Sequence, residues 1–480
     1  MGDIIGRFGR TRIAIGAGGL AAFLGAIVVA VAARGGSTSP PAQPIPTISL
    51  TSTSTPTIQP TATPEPSPTP IAHAGILDGM PMSDDEWAAR KDQAPIAVML
   101  DNTASANPHA GLIDADLVYE AFVEGGITRL MAVYWRQDAQ RILPVRSART
   151  PFVNWVVELG AMYGHAGGAT TENEANAIGQ IYEYGIRDLN AFSPVSSNYY
   201  YRDSSRYGPY DLATNTAYLK EAASELGFSG GSTVESWKFR DPLVQLPTGE
   251  PAGGIEIDYS GQLYAWQYIQ WHWDAASERY LRFQFGGPEV DADSGAQLAF
   301  STVVVMRVPS SVVDDVGHVV LEQIGSGPVT VFTGGQAFTG TWKKASREAR
   351  TRFYNAAGDE IVFERGPIFV EAIGLQSGFE FTSQAADLRP LPEYVAPPPG
   401  SAAPEPADES PSPTELPTAV GTPRPTATSP ATASASPGVT TPAPSSSSSP
   451  GTPTGSPAPS TSTAVPSPTS SPVTFPTSAN

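Results

Sequence analysis

Two long stretches of this 480-residue chain contain too little apolar surface to fold, and they limit what the rest can form. Residues 35–70 and 392–480 consist mainly of Pro, Ser, Thr and Ala. Such segments cannot offset the conformational entropy that ordering removes. We therefore predict a disordered stalk over residues 34–74 and a disordered tail over residues 392–480. Roughly 320 residues remain, enough for two domains of ordinary size.

An apolar run precedes the stalk. Residues 13–33 are 21 consecutive residues without a charge, and at ~1.5 Å per residue they would cross the ~30 Å core of a bilayer. Three arginines lie within residues 1–12, whereas Arg34 alone follows directly, which predicts a cytoplasmic N-terminus and a single-pass anchor in the cell membrane. The alternative is a cleaved signal peptide, because Ala30-Val31-Ala32 resembles a cleavage site. Both interpretations place the folded domains outside the cytoplasm.

Charge and cysteine content exclude several classes of function. The formal net charge is −19 and the chain has no cysteine. Nucleic acid is not an expected partner, because proteins that bind it usually present a broad basic face. Without cysteine there can be no disulfide scaffold, thiolate zinc site or cysteine nucleophile.

Residues 94–228 are predicted to form an α/β domain, a mixed sheet with flanking helices, because strand-like and helix-like patterns alternate there. The glycine pair Gly125-Gly126 predicts a hairpin turn between two strands. Thr150 is expected to cap one helix, which Gly160 ends, and Thr171 with Glu174 to form a capping box for the next. We predict strands at residues 95–100, 116–124, 128–135, 141–145 and 161–165, and helices at residues 150–160 and 171–184.

Residues 254–375 are predicted to form a second, mostly antiparallel β domain, because short alternating runs are separated by glycine turns. Turns are expected at Gly334-Gly335 and at Gly358-Asp359. We predict strands at residues 261–274, 280–285, 302–308, 319–324, 329–333 and 361–364. A basic stretch in this domain could bind anionic lipid head groups or cell-wall polymers, or could be a solvated loop; it comprises Lys343, Lys344, Arg347, Arg350 and Arg352.

Two arginines lie just before the first predicted helix of the α/β domain. Arg146 and Arg149 flank Ser147-Ala148, and guanidinium groups match the geometry of phosphate and carboxylate. A helix start adds unpaired N–H groups and a positive dipole end. The pattern predicts an anion site, and its alternative is two arginines in ordinary salt bridges.

A second corner follows the next predicted strand. His165 ends that strand, and Gly167 and Gly168 would allow backbone N–H groups to approach a ligand closely. His165 is therefore a catalytic candidate and the two glycines are ligand-binding candidates. The alternative is a tight turn around a hydrogen-bonded core histidine.

Carboxylates near the strand ends are the candidates for metal binding or for acid–base catalysis. Glu120 and Glu124 lie four apart on a predicted strand and so would share a face. Asp101 ends another strand, a usual place for ligand-binding groups in α/β sheets. The glutamate pair could hold Mg²⁺ or act as acid and base, and Asp101 is a further candidate for either role. Arg129, also a ligand-binding candidate, could neutralise either carboxylate. The alternative for the two glutamates is a solvated sheet face.

Several motifs resemble those of the DUF3048, YerB-like family of bacterial exported proteins. They are Pro95-Ile-Ala-Val-Met, Leu117-Val-Tyr-Glu, Glu124-Gly-Gly-Ile-Thr-Arg, Pro144-Val-Arg-Ser-Ala-Arg, His165-Ala-Gly-Gly, Tyr201-Arg-Asp, Gly340-Thr-Trp-Lys-Lys and Thr351-Arg-Phe-Tyr. The resemblance covers most of residues 94–375, implies export, and makes Arg202 a further ligand-binding candidate. Many members resemble lipoproteins, whereas this chain has no cysteine. Where members often carry a His-Asn pair, this chain has Tyr210-Asp211.

A shorter similarity is to the LytR-CpsA-Psr phosphotransferases, in the order of residues 128–133, Leu143-Pro-Val-Arg and His165-Ala-Gly-Gly. That resemblance implies a membrane-anchored extracellular α/β protein in which arginines hold a polyprenyl pyrophosphate and acidic residues hold Mg²⁺.

Three functional hypotheses follow. The first is a surface protein that binds an anionic envelope lipid or glycan through Arg146, Arg149 and the Gly167-Gly168 corner. The second is a Mg²⁺-dependent phosphotransferase or hydrolase of a polyprenyl-phosphate-linked envelope glycan. The third is a protein-interaction scaffold that uses Trp271 or Trp273 of the β domain. Whether the chain is an enzyme is left open by the sequence.

Overall fold

The computed structural model describes residues 71–241, 244, 247–261 and 266–394. The predicted anchor at residues 13–33, the stalk up to residue 70 and the tail from residue 395 onwards lie outside these described residues. Within the described ranges, no helix is both long enough and apolar enough to cross a membrane.

The described residues contain four α-helices and many short strands. The helices are α1 (Asp84–Arg90), α2 (Thr150–Leu159), α3 (Ala177–Glu183) and α4 (Thr216–Glu225). The strands of the first half are β1 (His73–Ala74), β2 (Pro81–Met82), β3 (Ile96–Asp101), β4 (Leu117–Phe122), β5 (Thr128–Tyr134), β6 (Met162–His165), β7 (Arg187–Asn190), β8 (Tyr201–Arg202) and β9 (Leu212–Ala213).

The second half is almost entirely β. Its strands are β10 (Glu250–Pro251), β11 (Gly254–Asp258), β12 (Tyr268–Asp274), β13 (Arg279–Gln284), β14 (Gly287–Pro288), β15 (Ala299–Phe300), β16 (Thr302–Val308), β17 (Ser310–Val312), β18 (Val319–Leu321), β19 (Gly325–Thr333), β20 (Gln336–Lys344), β21 (Arg352–Asn355), β22 (Ile368–Gly374) and β23 (Gly378–Thr382). The predicted class, mixed α/β followed by antiparallel β, is confirmed.

One eleven-stranded sheet contains strands from both predicted domains, in the order β10-β20-β19-β16-β22-β4-β5-β3-β6-β7, with β21 paired to β20. Strand β22 pairs in parallel with both β16 and β4. The six strands β16, β22, β4, β3, β6 and β7 all run in one direction, and the β4–β5 hairpin places β5 antiparallel among them. The expected α/β domain and β domain therefore share a sheet.

Apolar side chains cover both faces of this sheet. On one face, residues of α2 such as Phe152 and Trp155 pack against Met99, Met131 and Val370. On the other face, α4 and a six-stranded sheet in the order β14-β13-β12-β11-β23, with β15 paired to β13, cover the alternate residues of the same strands. Central strands buried on both faces carry nearly continuous apolar sequences, as β3 and β22 do.

The helix starts correct two predicted caps. Helix α2 begins at Thr150 with Pro151 in its first turn and ends at Gly160 (φ +51°), as expected, but the residue at the cap position is Arg149. Helix α3 begins at Ala177, and its cap is Asn176, whose side chain accepts from the Gly179 N–H.

The capping box predicted at Thr171 and Glu174 is wrong because Asn173 intervenes. Its side-chain oxygen accepts from the Thr171 hydroxyl at 2.7 Å and from the Ala175 N–H at 2.8 Å. These bonds form a local turn that delays the helix by about one turn.

Two predicted strands are wrong. Residues 141–145 form only isolated bridges, Leu143 with Ala110, Ile142 with Thr214 and Val145 with Leu100. This short segment changes partner at each step, and Pro144 has no N–H for a ladder. Residues 361–364 likewise make only one isolated bridge, between Phe363 and Phe239.

Candidate functional site

The parallel strands place several predicted residues at one edge of the large sheet. Asp101 ends β3, His165 ends β6, and Glu124 follows β4 by two residues. The carboxyl ends of parallel strands share an edge, which is where α/β sheets commonly bind ligands. The segment 146–149 lies against this edge, because the Arg146 N–H donates to the Met99 carbonyl at 2.9 Å. We call these residues, together with Arg129, which pairs with Glu124, the arginine corner.

At the arginine corner, Arg146 pairs with Asp101. Its Nε donates to Asp101 Oδ2 at 2.9 Å, and the Arg146 side chain is 11% exposed. The Asp101 Oδ1 also accepts from the N–H and the hydroxyl of Thr103. Burial alone would raise the pKa of Asp101, but the guanidiniums of Arg146 and Arg129 and the bonds from Thr103 lower it. Asp101 is therefore a carboxylate at neutral pH.

Glu124 is held by the other two arginines. Arg149 donates to Glu124 Oε2 from Nε at 2.6 Å and to Oε1 from Nη2 at 2.7 Å, a bidentate pair. Arg129 donates to the same Oε1 at 2.9 Å and to the Ser147 carbonyl at 2.7 Å. Burial opposes ionisation of Glu124, but these two arginines lower its pKa. The predicted neutralising role of Arg129 is thus directed at Glu124.

The Gly167-Gly168 corner and the segment 146–149 are joined by backbone hydrogen bonds. Ala148 and Gly168 form a parallel bridge, and the Ala148 N–H donates to the Gly167 carbonyl at 2.9 Å. The Gly167 N–H donates to the Asn190 side chain at 2.9 Å. A Cβ on Gly168 would lie 2.9 Å from Ile178 and 3.1 Å from Ala148. The glycines allow close packing, and the Gly167 N–H that was expected to meet a ligand is engaged by Asn190.

His165 is completely buried between two protein oxygens. Its Nδ1 lies 2.7 Å from the Gly167 carbonyl and its Nε2 lies 2.8 Å from Asp188 Oδ1. A hydrogen-bonded core histidine was the alternative that the sequence left open, and this geometry matches it.

The chain matches both domains of one family. Residues 79–229 match the N-terminal domain, and residues 255–370 the C-terminal domain, of the family described as protein of unknown function (DUF3048). This chain belongs to the DUF3048 family. The resemblance inferred from the sequence motifs is confirmed.

Two comparisons concern the YerB protein of Bacillus subtilis. A relative from strain 168 named "Putative lipoprotein YerB" is 26% identical over 262 residues, which cover 53% of this chain and 74% of that protein. The crystal structure of YerB protein from Bacillus subtilis superposes with a TM-score of 0.56 at 22% identity, and the match covers 64% of this chain and 99% of that one. The structural likeness concerns the fold.

A second cluster of the DUF3048 protein, which we call the Arg282 cluster, contains Glu120. Arg282 of β13 is fully buried and donates to Glu120 Oε2 at 2.7 Å, Glu371 Oε1 at 2.7 Å and Glu289 Oε2 at 2.6 Å. Asn102 and Thr128 donate to Glu120 Oε1 at 2.9 and 2.7 Å. Glu120 comes from the N-terminal family domain and Arg282 from the C-terminal one, so the cluster joins them.

The prediction that Glu120 and Glu124 share a face is wrong. The Glu120 carboxylate points into the Arg282 cluster between the two sheets, whereas Glu124 lies beyond the end of β4 and turns toward Arg129 and Arg149. Both are buried, so the alternative of a solvated sheet face is also wrong. Within the described residues, no three His, Asp or Glu side chains are grouped as a metal site requires. Mg²⁺ binding stays a prediction of the sequence.

The hairpin of β8 and β9 meets the arginine corner from outside. Arg202, in the family's Tyr-Arg-Asp motif, pairs with Asp211 on the same hairpin. Tyr210, beside Asp211, places its ring 5.9 Å from the Arg146 guanidinium. Tyr210 therefore contacts the corner from this hairpin.

Two residues of the basic stretch belong to a third buried cluster, which we call the Glu158 cluster. Lys344 and Arg350 both donate to Glu158 near the end of α2, Arg350 at 2.6 Å. Arg350 also stacks on Trp237 at 3.7 Å. These two side chains are not available to a polymer or membrane surface, and neither is Trp271, which is fully buried and donates to Glu371 at 2.9 Å. The Arg282 cluster and the Glu158 cluster were missed by the sequence analysis.

Proposed function

We propose that this DUF3048 protein is held outside the cytoplasmic membrane by residues 13–33 and binds an anionic envelope ligand at the arginine corner. The uncharged run and the arginines before it support the anchor. The name of the Bacillus relative as a lipoprotein supports an exported, membrane-attached location. In this chain, which has no cysteine, an apolar span would replace the lipid.

One observation carries the ligand proposal: Arg146 is the most exposed arginine of the corner, although most of its side chain is buried. Its side chain is 11% exposed, against 5% for Arg149 and 2% for Arg129. It is flanked by the carboxylate of Asp101 and the ring of Tyr210. A ligand carboxylate or phosphate would share the Arg146 guanidinium with Asp101, and the Tyr210 ring would cover its apolar part. Arg149 and Arg129 keep the edge rigid through Glu124.

The phosphotransferase alternative has less support from the geometry. It would need Asp101, Glu120 or Glu124 to hold Mg²⁺. The first accepts from Arg146, the second from Arg282 and the third from Arg149. Each of these carboxylates would have to leave an arginine before it could bind a metal ion.

The anchor can be tested because the natural chain has no cysteine. Ser105→Cys places a single thiol at an exposed position of a short 3₁₀ helix in the folded region. A membrane-impermeant maleimide added to intact cells should label Ser105→Cys and should not label Asp3→Cys, which precedes the span. Labelling of neither variant until the cells are lysed would contradict export.

Ligand binding is tested by thermal unfolding of the full chain with pyrophosphate, a prenyl pyrophosphate and an anionic glycan, each with and without Mg²⁺. A ligand at 100 times its Kd should stabilise the native state by about 2.7 kcal/mol. Arg146→Gln should abolish the shift, whereas Arg352→Gln, in an exposed pair with Glu235, should retain it. Arg149 is a poor choice for this test, because its removal would break a bidentate pair with the buried Glu124 carboxylate. Arg146→Gln likewise removes a partner of the buried Asp101 carboxylate, so its unfolding without ligand must first show that the variant is folded. No shift with any of the three anions would reject the ligand proposal.

A further inference from the structure

A cleft of about 310 Å³ opens on the C-terminal family domain, away from the arginine corner, with which it shares no lining residue. It lies between the end of the β12–β13 hairpin and the β19–β20 turn. Its lining includes Trp273, Phe338, Gln336, Glu278, Glu364 and Arg240.

Trp273 forms an aromatic wall of the cleft. One side of its partly exposed ring packs on buried Tyr280, with centroids 4.9 Å apart. The β19–β20 turn approaches the indole so closely that a Cβ on Gly335 would lie 2.8 Å from Trp273 Nε1. Gly335 also has a φ of +72°, which glycine adopts without strain. The turn is therefore shaped around the indole edge and fixes the ring at the cleft.

Polar groups beside this ring have unused hydrogen-bonding capacity. Gln336 Oε1 accepts from the Gly249 N–H at 2.6 Å, which orients the amide. Its Nε2, the Trp273 Nε1–H and the Glu278 carboxylate have no partner among the residues that the structure describes. Two donors and a carboxyl acceptor thus surround the aromatic wall.

The charges lining the cleft balance. Arg240 and Arg365 contribute two positive charges, and Glu278 and Glu364 contribute two negative charges. Glu364 Oε1 accepts from Arg240 Nη1 at 2.9 Å, which fixes one pair across the wall. An anion would gain little from such a lining, whereas an uncharged ligand with many hydroxyl groups could use both the donors and the acceptors.

We propose that this cleft binds a neutral oligosaccharide of pyranose units. The apolar C–H face of a pyranose ring would stack on Trp273, since amphipathic aromatic rings suit ligands that are apolar on one side and polar on the other. Its hydroxyl groups would accept from Gln336 and the indole N–H and donate to Glu278. The proposal does not depend on the anion site at Arg146.

The experiment is a titration of the full chain, in a detergent that carries no sugar, with maltotriose, cellotriose and chitotriose. Binding is measured by calorimetry and by tryptophan fluorescence. We expect saturable binding of at least one trisaccharide, with a Kd that changes little between low and high salt because no net charge is neutralised. Trp273→Ala should weaken binding about tenfold or more, and Trp273→Phe less, because a ring is retained.

Controls distinguish loss of the site from loss of the fold. Trp87→Phe, at a tryptophan stacked on His73 outside the cleft, should bind as the natural chain does. Glu278→Gln changes an exposed side chain and should weaken binding several-fold with unchanged unfolding, so it decides the matter if Trp273→Ala does not fold. The proposal is overturned if no trisaccharide binds saturably to the folded chain. Equal affinities of Glu278→Gln and the natural chain, with Trp273→Ala also unaffected or unfolded, would overturn it as well.

Discussion

The guanidinium of Arg282 donates to the carboxylate of Glu371 at 2.7 Å, and both side chains are completely buried. The two residues belong to different sheets, Arg282 to β13 and Glu371 to β22. The same guanidinium binds Glu120 and Glu289, while Tyr259 and Trp271 donate to Glu371 at 2.8 and 2.9 Å. A single cation therefore fixes the six-stranded sheet on the large sheet.

Removal of this cation should be severely destabilising. Arg282→Met would remove the buried cation to which Glu120, Glu289 and Glu371 are all hydrogen-bonded. Breaking a buried ion pair on one side typically costs about 3–5 kcal/mol. Urea unfolding of the variant should show at least that loss. The matched change Arg352→Met, at a partly exposed ion pair, should cost no more than about 1 kcal/mol. Similar losses in the two variants would show that Arg282 is not the centre of the interface.

The Arg282 cluster should also make stability depend on pH. Burial raises the pKa of Glu120 from 4.5 to about 8; Arg282 opposes this rise and Glu371 reinforces it. The folded state then keeps a proton that the unfolded state loses above pH 4.5. This contribution is fully present below pH 4.5 and is lost as the pH rises through about 8.

Glu120→Gln has no such proton to lose. Relative to the natural chain, its free energy of unfolding should therefore decline less between pH 5 and 8, by up to about 1.4 kcal/mol per pH unit. Chemical denaturation at several pH values measures the difference. The exposed change Glu174→Gln serves as the control and should leave the slope unaltered. Parallel curves for Glu120→Gln and the natural chain would place the proton on another group.

The sequence predicted which residues form the arginine corner better than it predicted how their charged groups pair. Strand ends and glycine pairs are local signals, so Asp101, Glu124, Arg146 and Gly168 could be placed near one another before the fold was known. Which carboxylate meets which guanidinium depends on tertiary packing. The alternative of ordinary salt bridges, left open by the sequence, describes Arg146 and Arg149 in the structure.

The missed strand β22 and the missed Arg282 cluster have related causes. A strand buried on both faces has a continuous apolar sequence, so period-two alternation cannot reveal it, and Glu371 interrupts even that pattern. A weak signal existed in β13, where Arg282 occurs on the same face as Tyr280 and Gln284, the buried face of that strand. Glu289 lies only seven residues from Arg282, but the other two carboxyl partners, Glu371 and Glu120, lie 89 and 162 residues away, beyond any spacing argument.

Glu158 lies on the face of the large sheet that α2 covers, opposite the face that carries Arg282. It should contribute as much to the free energy of unfolding as Arg282 does. It accepts from Lys344, Arg350 and Thr351, all from the C-terminal family domain, while it belongs to α2 of the N-terminal one. Glu158→Gln would leave two cations buried without a counterion and should cost about 3–5 kcal/mol in chemical denaturation. Glu183→Gln, at an exposed position on α3, should be nearly neutral. A small loss at Glu158 would mean that water reaches the two cations.

Gly168 should tolerate no side chain. An alanine Cβ there would meet Ile178 at 2.9 Å and both the Cβ and the carbonyl oxygen of Ala148 at 3.1 and 3.2 Å. Forcing a methyl group into such a contact typically costs about 1–3 kcal/mol, which thermal unfolding of Gly168→Ala can detect. Gly287→Ala, where a Cβ has no neighbour within 4 Å, is the control. If Gly168→Ala unfolds at the same temperature as the natural chain, the two corners are less tightly packed than the distances indicate.

The position of β22 between β16 and β4 has a consequence for how the chain is made. Strand β4 is complete at residue 122, but the partner that covers its outer edge ends only at residue 374. Until more than two hundred further residues have left the ribosome, the first half presents an apolar strand with unpaired backbone groups, a template for wrong pairing. A nascent chain of this family would therefore benefit from a chaperone during that interval, and a fragment that stops between the two family domains should aggregate rather than fold.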